Sequence, residues 1–78
     1  MEQTIKLSQG QIGDSYTVEK MELPISIEKR LEALGMTHGT SVLVLNSKSR
    51  GVLIVKVRGT RFALGRNITE NIQVGRTS

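Results

Sequence analysis

The sequence predicts a mainly β protein, a small five-stranded β-barrel with one short α-helix at about residues 27–34 and a one-turn helix near residues 68–71. Short runs rich in β-branched residues alternate with polar ones, which is typical of half-buried strands. Glycines and polar turns separate these runs, and only one segment has apolar residues at helical spacing. With 78 residues the chain is expected to form a single domain over residues 1–78, with its core at about residues 5–75.

The first strand is predicted at residues 15–21, where apolar and polar residues alternate after two glycines. Before that strand, we expect Ile5, Leu7 and Ile12 to pack beneath the barrel as an N-terminal arm.

The helix is predicted from the spacing of Ile27, Leu31 and Leu34, which recur at i, i+4 and i+7. Ser26 is placed to cap its N-terminus, and Gly35 supplies the left-handed position that ends a helix. A helix of about nine residues is unstable alone, so these three apolar side chains are expected to dock on the sheet.

Two hairpins are predicted after the helix. The first joins residues 41–45 to residues 52–58 through a polar tip. The second has Gly59-Thr60 as a two-residue turn with glycine at its first central position, followed by a strand at residues 61–64.

A single helical turn and a last strand at residues 72–74 are expected to close the sheet. In that turn, Asn67 followed by Glu70 resembles a capping box. Closure into a barrel would leave no exposed strand edges.

Charge is distributed unevenly along the chain. Residues 1–45 have a net charge of −2, and residues 46–78 have a net charge of +6. A positive surface increases the rate of encounter with acidic partners such as nucleic acid, anionic lipid or an acidic protein face. Ordinary solubilising charge on exposed strands is the simpler interpretation, and both stay open.

Composition argues against several kinds of site and against export. No cysteine is present, which excludes disulfides, thiolate chemistry and cysteine-ligated metal centres. The longest apolar runs have four residues, far short of the ~20 needed to span a bilayer, and no hydrophobic signal region is visible. We therefore expect a cytoplasmic protein in a reducing environment.

Over most of its length the sequence resembles the FeoA family, small cytoplasmic proteins that act with the ferrous iron permease FeoB. The matching segments are Lys29-Arg30-Leu31-Glu32-Ala33-Leu34-Gly35-Met36, Gly39-Thr40 with Val42-Leu43-Val44, Val55-Lys56-Val57-Arg58-Gly59-Thr60-Arg61, and Ala63-Leu64-Gly65-Arg66 leading to Ile72 and Val74. Thr69 departs from the pattern, because a small apolar residue such as alanine is expected there. The same small barrel forms the C-terminal module of iron-dependent repressors of the DtxR type.

The resemblance implies an SH3-like barrel without catalytic residues or a cofactor of its own. It also implies a role in binding or regulating the FeoB permease, with iron involved only through that transport partner. The chain would then be peripheral to the membrane through its partner, recruited to the inner face of the cell membrane.

Titratable residues are too few and too scattered to predict an enzyme. His38 is the only histidine, and six of the seven carboxylates precede residue 33. His38 is a weak candidate for a metal ligand, because it lies in a predicted surface turn and would need partners from elsewhere.

Two candidate patches for partner binding follow from the pattern. The first is apolar and flanks the helix; its residues are Leu23, Pro24, Ile25 and Met36. Sealing the end of the barrel is the simpler interpretation of the same residues, and both stay open. The second is a basic stripe across the last hairpin; its residues are Lys56, Arg58 and Arg61, of which Lys56 and Arg58 are expected to share a strand face.

Three alternatives stay open beside a protein-binding module. A small basic barrel could bind nucleic acid, although we expect none because only Tyr16 and Phe62 are aromatic and Phe62 is expected to be buried. A metal-responsive sensor like the repressor module is the second. Weak self-association through a strand edge is the third.

Overall fold

A six-stranded antiparallel sheet makes up most of the fold in the computed structural model, which describes residues 4–76. The strands are β1 (Thr4–Lys6), β2 (Ser15–Met21), β3 (Ser41–Ser47), β4 (Leu53–Val57), β5 (Thr60–Leu64) and β6 (Ile72–Arg76). The helices are α1 (Ile25–Ala33) and α2 (Arg66–Thr69), and short 3-10 turns lie at Leu7–Gln9 and Ser49–Gly51. In space the strands follow the order β1-β6-β2-β3-β4-β5.

The mainly β class, the helix and the late helical turn are confirmed, whereas the strand count and the closure differ from prediction. The sheet has six strands instead of five, and no ladder joins its end strands β1 and β5 within residues 4–76. The additional strand is β1, in which Ile5 lies opposite Val74. With three residues, β1 is too short to show the longer alternation that predicts β2 and β4.

The predicted N-terminal arm is therefore only partly correct. Ile5 belongs to a strand and packs against the core, and Leu7 is fully buried. Ile12 is 58% exposed, so its predicted place beneath the sheet is wrong.

One buried cluster fills the inner face of the sheet, and alternation along the strands produces it. In β3, for example, Val42 and Val44 point inward while Leu43 between them is only half-buried. The fully or nearly fully buried members are Leu7, Tyr16, Val18, Leu31, Met36, Val42, Val44, Leu53, Val55, Val57, Leu64, Ile72 and Val74. Leu31 is the one residue of α1 among them.

Helix α1 begins at Ile25, two residues before the predicted start. Pro24 occupies the N-cap, and its carbonyl accepts hydrogen bonds from the amides of Ile27 and Glu28, both at 3.0 Å. Ser26 lies inside the helix, so its predicted capping role is wrong. The fixed φ of proline, here −54°, already suits the entry into a helix.

Helix α1 ends before Gly35, as predicted, and Gly35 has a φ of +97°. The amide of Gly35 donates to the carbonyl of Glu32, and the amide of Met36 donates to the carbonyl of Leu31, both at 2.9 Å. This pair of bonds is the Schellman arrangement, which requires a left-handed residue at Gly35.

Helix α2 starts earlier than predicted and lacks the expected capping box. Gly65 is its N-cap, and Asn67 lies within the helix. Thr69 is fully buried, and its hydroxyl donates to the carbonyl of Arg66 at 3.3 Å. The departure from an apolar residue at Thr69 is thus accommodated by a local hydrogen bond.

The hydroxyl of Tyr16 ties the loop before β2 to the core. Tyr16 is 3% exposed, and its hydroxyl oxygen accepts a hydrogen bond from the amide of Gln11 at 2.9 Å. We expect Tyr16→Phe to lower the free energy of unfolding by about 0.5–1.5 kcal/mol, because the Gln11 amide loses its partner while the ring still packs. Urea unfolding measures this change, and an unchanged stability would contradict the assigned bond.

Candidate partner-binding surfaces

The predicted apolar patch is only partly at the surface. Pro24 is exposed and Ile25 is 66% exposed, whereas Leu23 is half-buried and packs against the core. Met36 is fully buried, so its predicted place at the surface is wrong. The Schellman arrangement turns the chain back beneath α1, which brings Met36 into the core beside Leu31.

A different apolar surface lies between α1, β5 and α2. It is a groove of about 330 Å³ whose lining residues are Ile27, Arg30, Leu31, Leu34, Phe62, Ala63, Leu64 and Ile68. Ile27, Phe62 and Ile68 are partly buried against the core, and Leu34 at its rim is 45% exposed. The predicted docking of Leu34 on the sheet is therefore only partly correct, since Leu34 faces β5 across the groove but is not covered by it.

Sequence reasoning missed this groove, which we call the helix groove, because its walls come from three segments that are distant in the chain. Ile25 does not line it. Two sequence features hint at the groove: Leu34 is an apolar residue next to the glycine that ends the helix, and Ile68 is an apolar residue in an otherwise polar turn. Neither signal indicates by itself which element lies opposite.

The turn between β4 and β5 differs by one residue from the predicted turn. Val57 lies opposite Thr60, so Arg58 and Gly59 are the central residues. Both have positive φ, +52° for Arg58 and +84° for Gly59, which is the geometry of a type I′ turn. A left-handed arginine is uncommon, so the sequence pattern alone does not indicate a turn that begins with Arg58.

Arg58 is consequently separate from the other two residues of the predicted stripe. Its side chain lies against the end of α1, since a Cβ added to Gly35 would stand 2.9 Å from the Cδ of Arg58. A cation at a helix C-terminus interacts favourably with the helix dipole. The predicted common face of Lys56 and Arg58 is wrong, because the strand ends at Val57.

Lys56 and Arg61 do lie together. They are directly opposite each other on β4 and β5, on the outer face of the sheet. Around them is a shallow depression of about 480 Å³, which we call the basic sheet face. Its lining residues are Leu43, Leu45, Asn46, Lys48, Ile54, Lys56 and Arg61.

The basic sheet face has no acidic residue in its lining. Within residues 4–76 the ion pairs are Lys20–Glu22, Arg66–Glu70 and Arg76–Asp14, none of which involves it. Its three apolar lining residues are half-buried; they are Leu43, Leu45 and Ile54. Sequence analysis found two of its cations but not this apolar floor.

His38 lies exposed in the turn between α1 and β3. In the described part of the chain, no three or more histidine, cysteine, aspartate or glutamate side chains are grouped so that they could hold a metal ion. Neither helix in residues 4–76 is long and apolar enough to cross a membrane.

Comparison with protein families gives one match over almost the whole chain. The model of the FeoA domain matches residues 5–76. Among curated proteins, no significant match is found.

Solved structures similar to this chain include two FeoA proteins. One, described as an iron uptake regulatory protein (FeoA), is 28% identical with a TM-score of 0.83, over 96% of this chain and 99% of that one. The other is the FeoA of Stenotrophomonas maltophilia, 30% identical with a TM-score of 0.73, over 95% of this chain and 88% of that one. It was solved with zinc and is described as an SH3 domain protein and a candidate ferrous iron transport activating factor.

A manganese-dependent transcriptional repressor shares the fold. It is 18% identical with a TM-score of 0.87, and the alignment covers 99% of this chain but 44% of the repressor. The SH3-like fold and its occurrence in metal-dependent repressors are both confirmed.

Proposed function

The chain belongs to the FeoA domain family, and from this premise we propose that it is a non-enzymatic accessory or regulatory module of ferrous iron uptake. It acts by binding the cytoplasmic part of a FeoB-type permease at the inner face of the cell membrane. The family's structures are described as regulators or activating factors of iron uptake and transport, which supports such a role over catalysis.

The helix groove is the observation on which the binding surface rests. A domain of this size needs nearly all of its apolar side chains for its core. Leu34 is nevertheless 45% exposed at the rim of a groove whose other lining residues, apart from Arg30, are apolar. An apolar side chain from a partner would fill the groove and cover Leu34, and buried apolar anchors of this kind dominate protein interfaces.

The apolar residues at the start of α1 remain part of the proposal as a second contact. Pro24 and Ile25 are exposed side by side where the chain enters the helix. Leu23 is half-buried beneath them and would support the contact from below.

Titration calorimetry of the chain with the cytoplasmic part of FeoB tests the proposal. We expect saturable binding that Leu34→Gln weakens by about tenfold, the loss of roughly one buried anchor. Glutamine suits a helix end and adds no charge, so the variant should fold.

Ile12→Gln is the matched control, because Ile12 is an exposed aliphatic residue outside the groove. We expect it to bind like the unchanged protein. Absence of saturable binding, together with intact ferrous iron uptake after deletion of the gene, would refute the proposal.

Nucleic acid is a less suitable partner for this surface. Tyr16 is buried, and Phe62 is partly buried and packed against the core. Among the described residues, neither ring is free to stack on an unpaired base, which is how single-strand binders gain affinity.

A further inference from the structure

We propose that the basic sheet face is a second docking surface, and that its occupant is an acidic polypeptide segment of a partner protein carrying apolar side chains between its carboxylates. This surface is separate from the helix groove, since the two share no lining residue. The inference therefore does not depend on the binding of FeoB through the groove.

Charge is the first argument. Lys56 and Arg61 are directly opposite across an antiparallel ladder, where like charges destabilise the pair. Lys48 lines the same depression, and no acidic side chain does. A carboxylate between these cations would offset their repulsion, because it can bond to both.

The apolar floor is the second argument. The outer face of an antiparallel sheet is commonly polar where it meets water. Here Leu43, Leu45 and Ile54 leave part of their surface uncovered within the ring of cations. Leu45 follows the buried Val44 and is half-buried on the outer face like Leu43, at the point where the ladder register shifts between Val44 and Asn46.

The combination selects the occupant. A purely acidic ligand would leave the floor in contact with water, and a purely apolar one would leave the three cations unpaired. An extended segment satisfies both when glutamate and leucine take turns at every second position, because residues i, i+2 and i+4 line one face of an extended chain at about 7 Å intervals. A flat anionic bilayer fits less well, because the apolar side chains of the depression are half-buried whereas its three cations are exposed, so a flat surface meets the cations first.

The probe for the test is a fluorescein-labelled, end-capped decapeptide, Glu-Ser-Leu-Ser-Glu-Ser-Leu-Ser-Glu-Ser, which presents glutamate and leucine on one face when extended, and its binding is followed by fluorescence anisotropy. Two control peptides replace all glutamates by glutamine or all leucines by serine. We expect saturable binding of the first peptide and about tenfold weaker binding of each control. The affinity for the first peptide should fall as salt rises, because the contact depends on exposed charges.

Variants locate the site. Lys56→Gln with Arg61→Gln should weaken binding by about tenfold, whereas Lys20→Gln with Lys29→Gln removes the same charge from exposed positions elsewhere and should change it less than about twofold. Ile54→Thr, which keeps a β-branched strand residue, should weaken binding about threefold. Leu34→Gln should leave it unchanged, which separates this surface from the helix groove.

Several results would overturn the proposal. Absence of saturable binding would do so, as would equal losses in the two charge-matched double variants or equal binding of the leucine and serine peptides. Co-sedimentation with phosphatidylserine vesicles that needs Lys56 and Arg61, without peptide binding, would assign the surface to a membrane. Dimerisation that disappears in the Lys56 and Arg61 variant, again without peptide binding, would assign it to a second copy of the chain.

Discussion

Replacing Leu31 by alanine is expected to lower the free energy of unfolding by about 2–5 kcal/mol. Leu31 is 4% exposed and is the one residue of α1 in the buried cluster, so its side chain anchors the helix on the sheet. The total stability of a domain of this size is of the order of 5–10 kcal/mol, so the change threatens folding itself. Thermal and urea denaturation followed by circular dichroism measure the loss.

The matched control is Leu34→Ala, the same substitution three residues later. Leu34 is 45% exposed, and we expect its truncation to change stability by less than about 1 kcal/mol. Equal losses at Leu31 and Leu34 would show that the helix docks in a different rotation about its axis.

Local signals predicted those parts of the fold that depend on neighbours in sequence. Alternation located β2, β3 and β4 to within one or two residues, because each strand has one buried and one outer face. Gly35 correctly marked the end of α1, because its φ of +97° favours glycine strongly over any other residue.

Features that depend on distant contacts could not be predicted from the same signals. Strand β1 forms by pairing with β6, where Ile5 lies opposite Val74. Residues this far apart in the chain share no local sequence pattern from which the pairing could be predicted. The residues next to Met36 in the sequence indicate a surface position, whereas the turn at Gly35 folds Met36 into the core.

For the candidate surfaces too, features within one element were predicted, whereas features that combine several elements were not. Strand alternation predicts Lys56 on the outer face, Arg61 is predicted from its place across the hairpin, and the structure places the two opposite each other. The helix groove and the apolar floor of the basic sheet face were missed, because residues from different elements form each of them. A role in binding stays a prediction for Leu23, Pro24, Ile25, Lys56, Arg58 and Arg61.

The second large effect on stability is expected at Gly35. Replacing it by alanine combines a left-handed backbone with a steric conflict, because the new Cβ would stand 2.9 Å from the Cδ of Arg58. The backbone alone accounts for about 1–2 kcal/mol, and displacement of the arginine adds to it. We expect a total loss of about 2–3 kcal/mol in urea denaturation.

Gly39→Ala separates the two contributions. Gly39 has a similar φ of +85°, but nothing lies within 4 Å of an added Cβ. Its substitution should therefore cost only the backbone part, about 1–2 kcal/mol. Combining Gly35→Ala with Arg58→Ala removes the conflict, so the double variant should lose less stability than the two single losses added together. Strict additivity would mean that the arginine does not rest on the helix end, and the close contact between α1 and the β4–β5 turn would have to be abandoned.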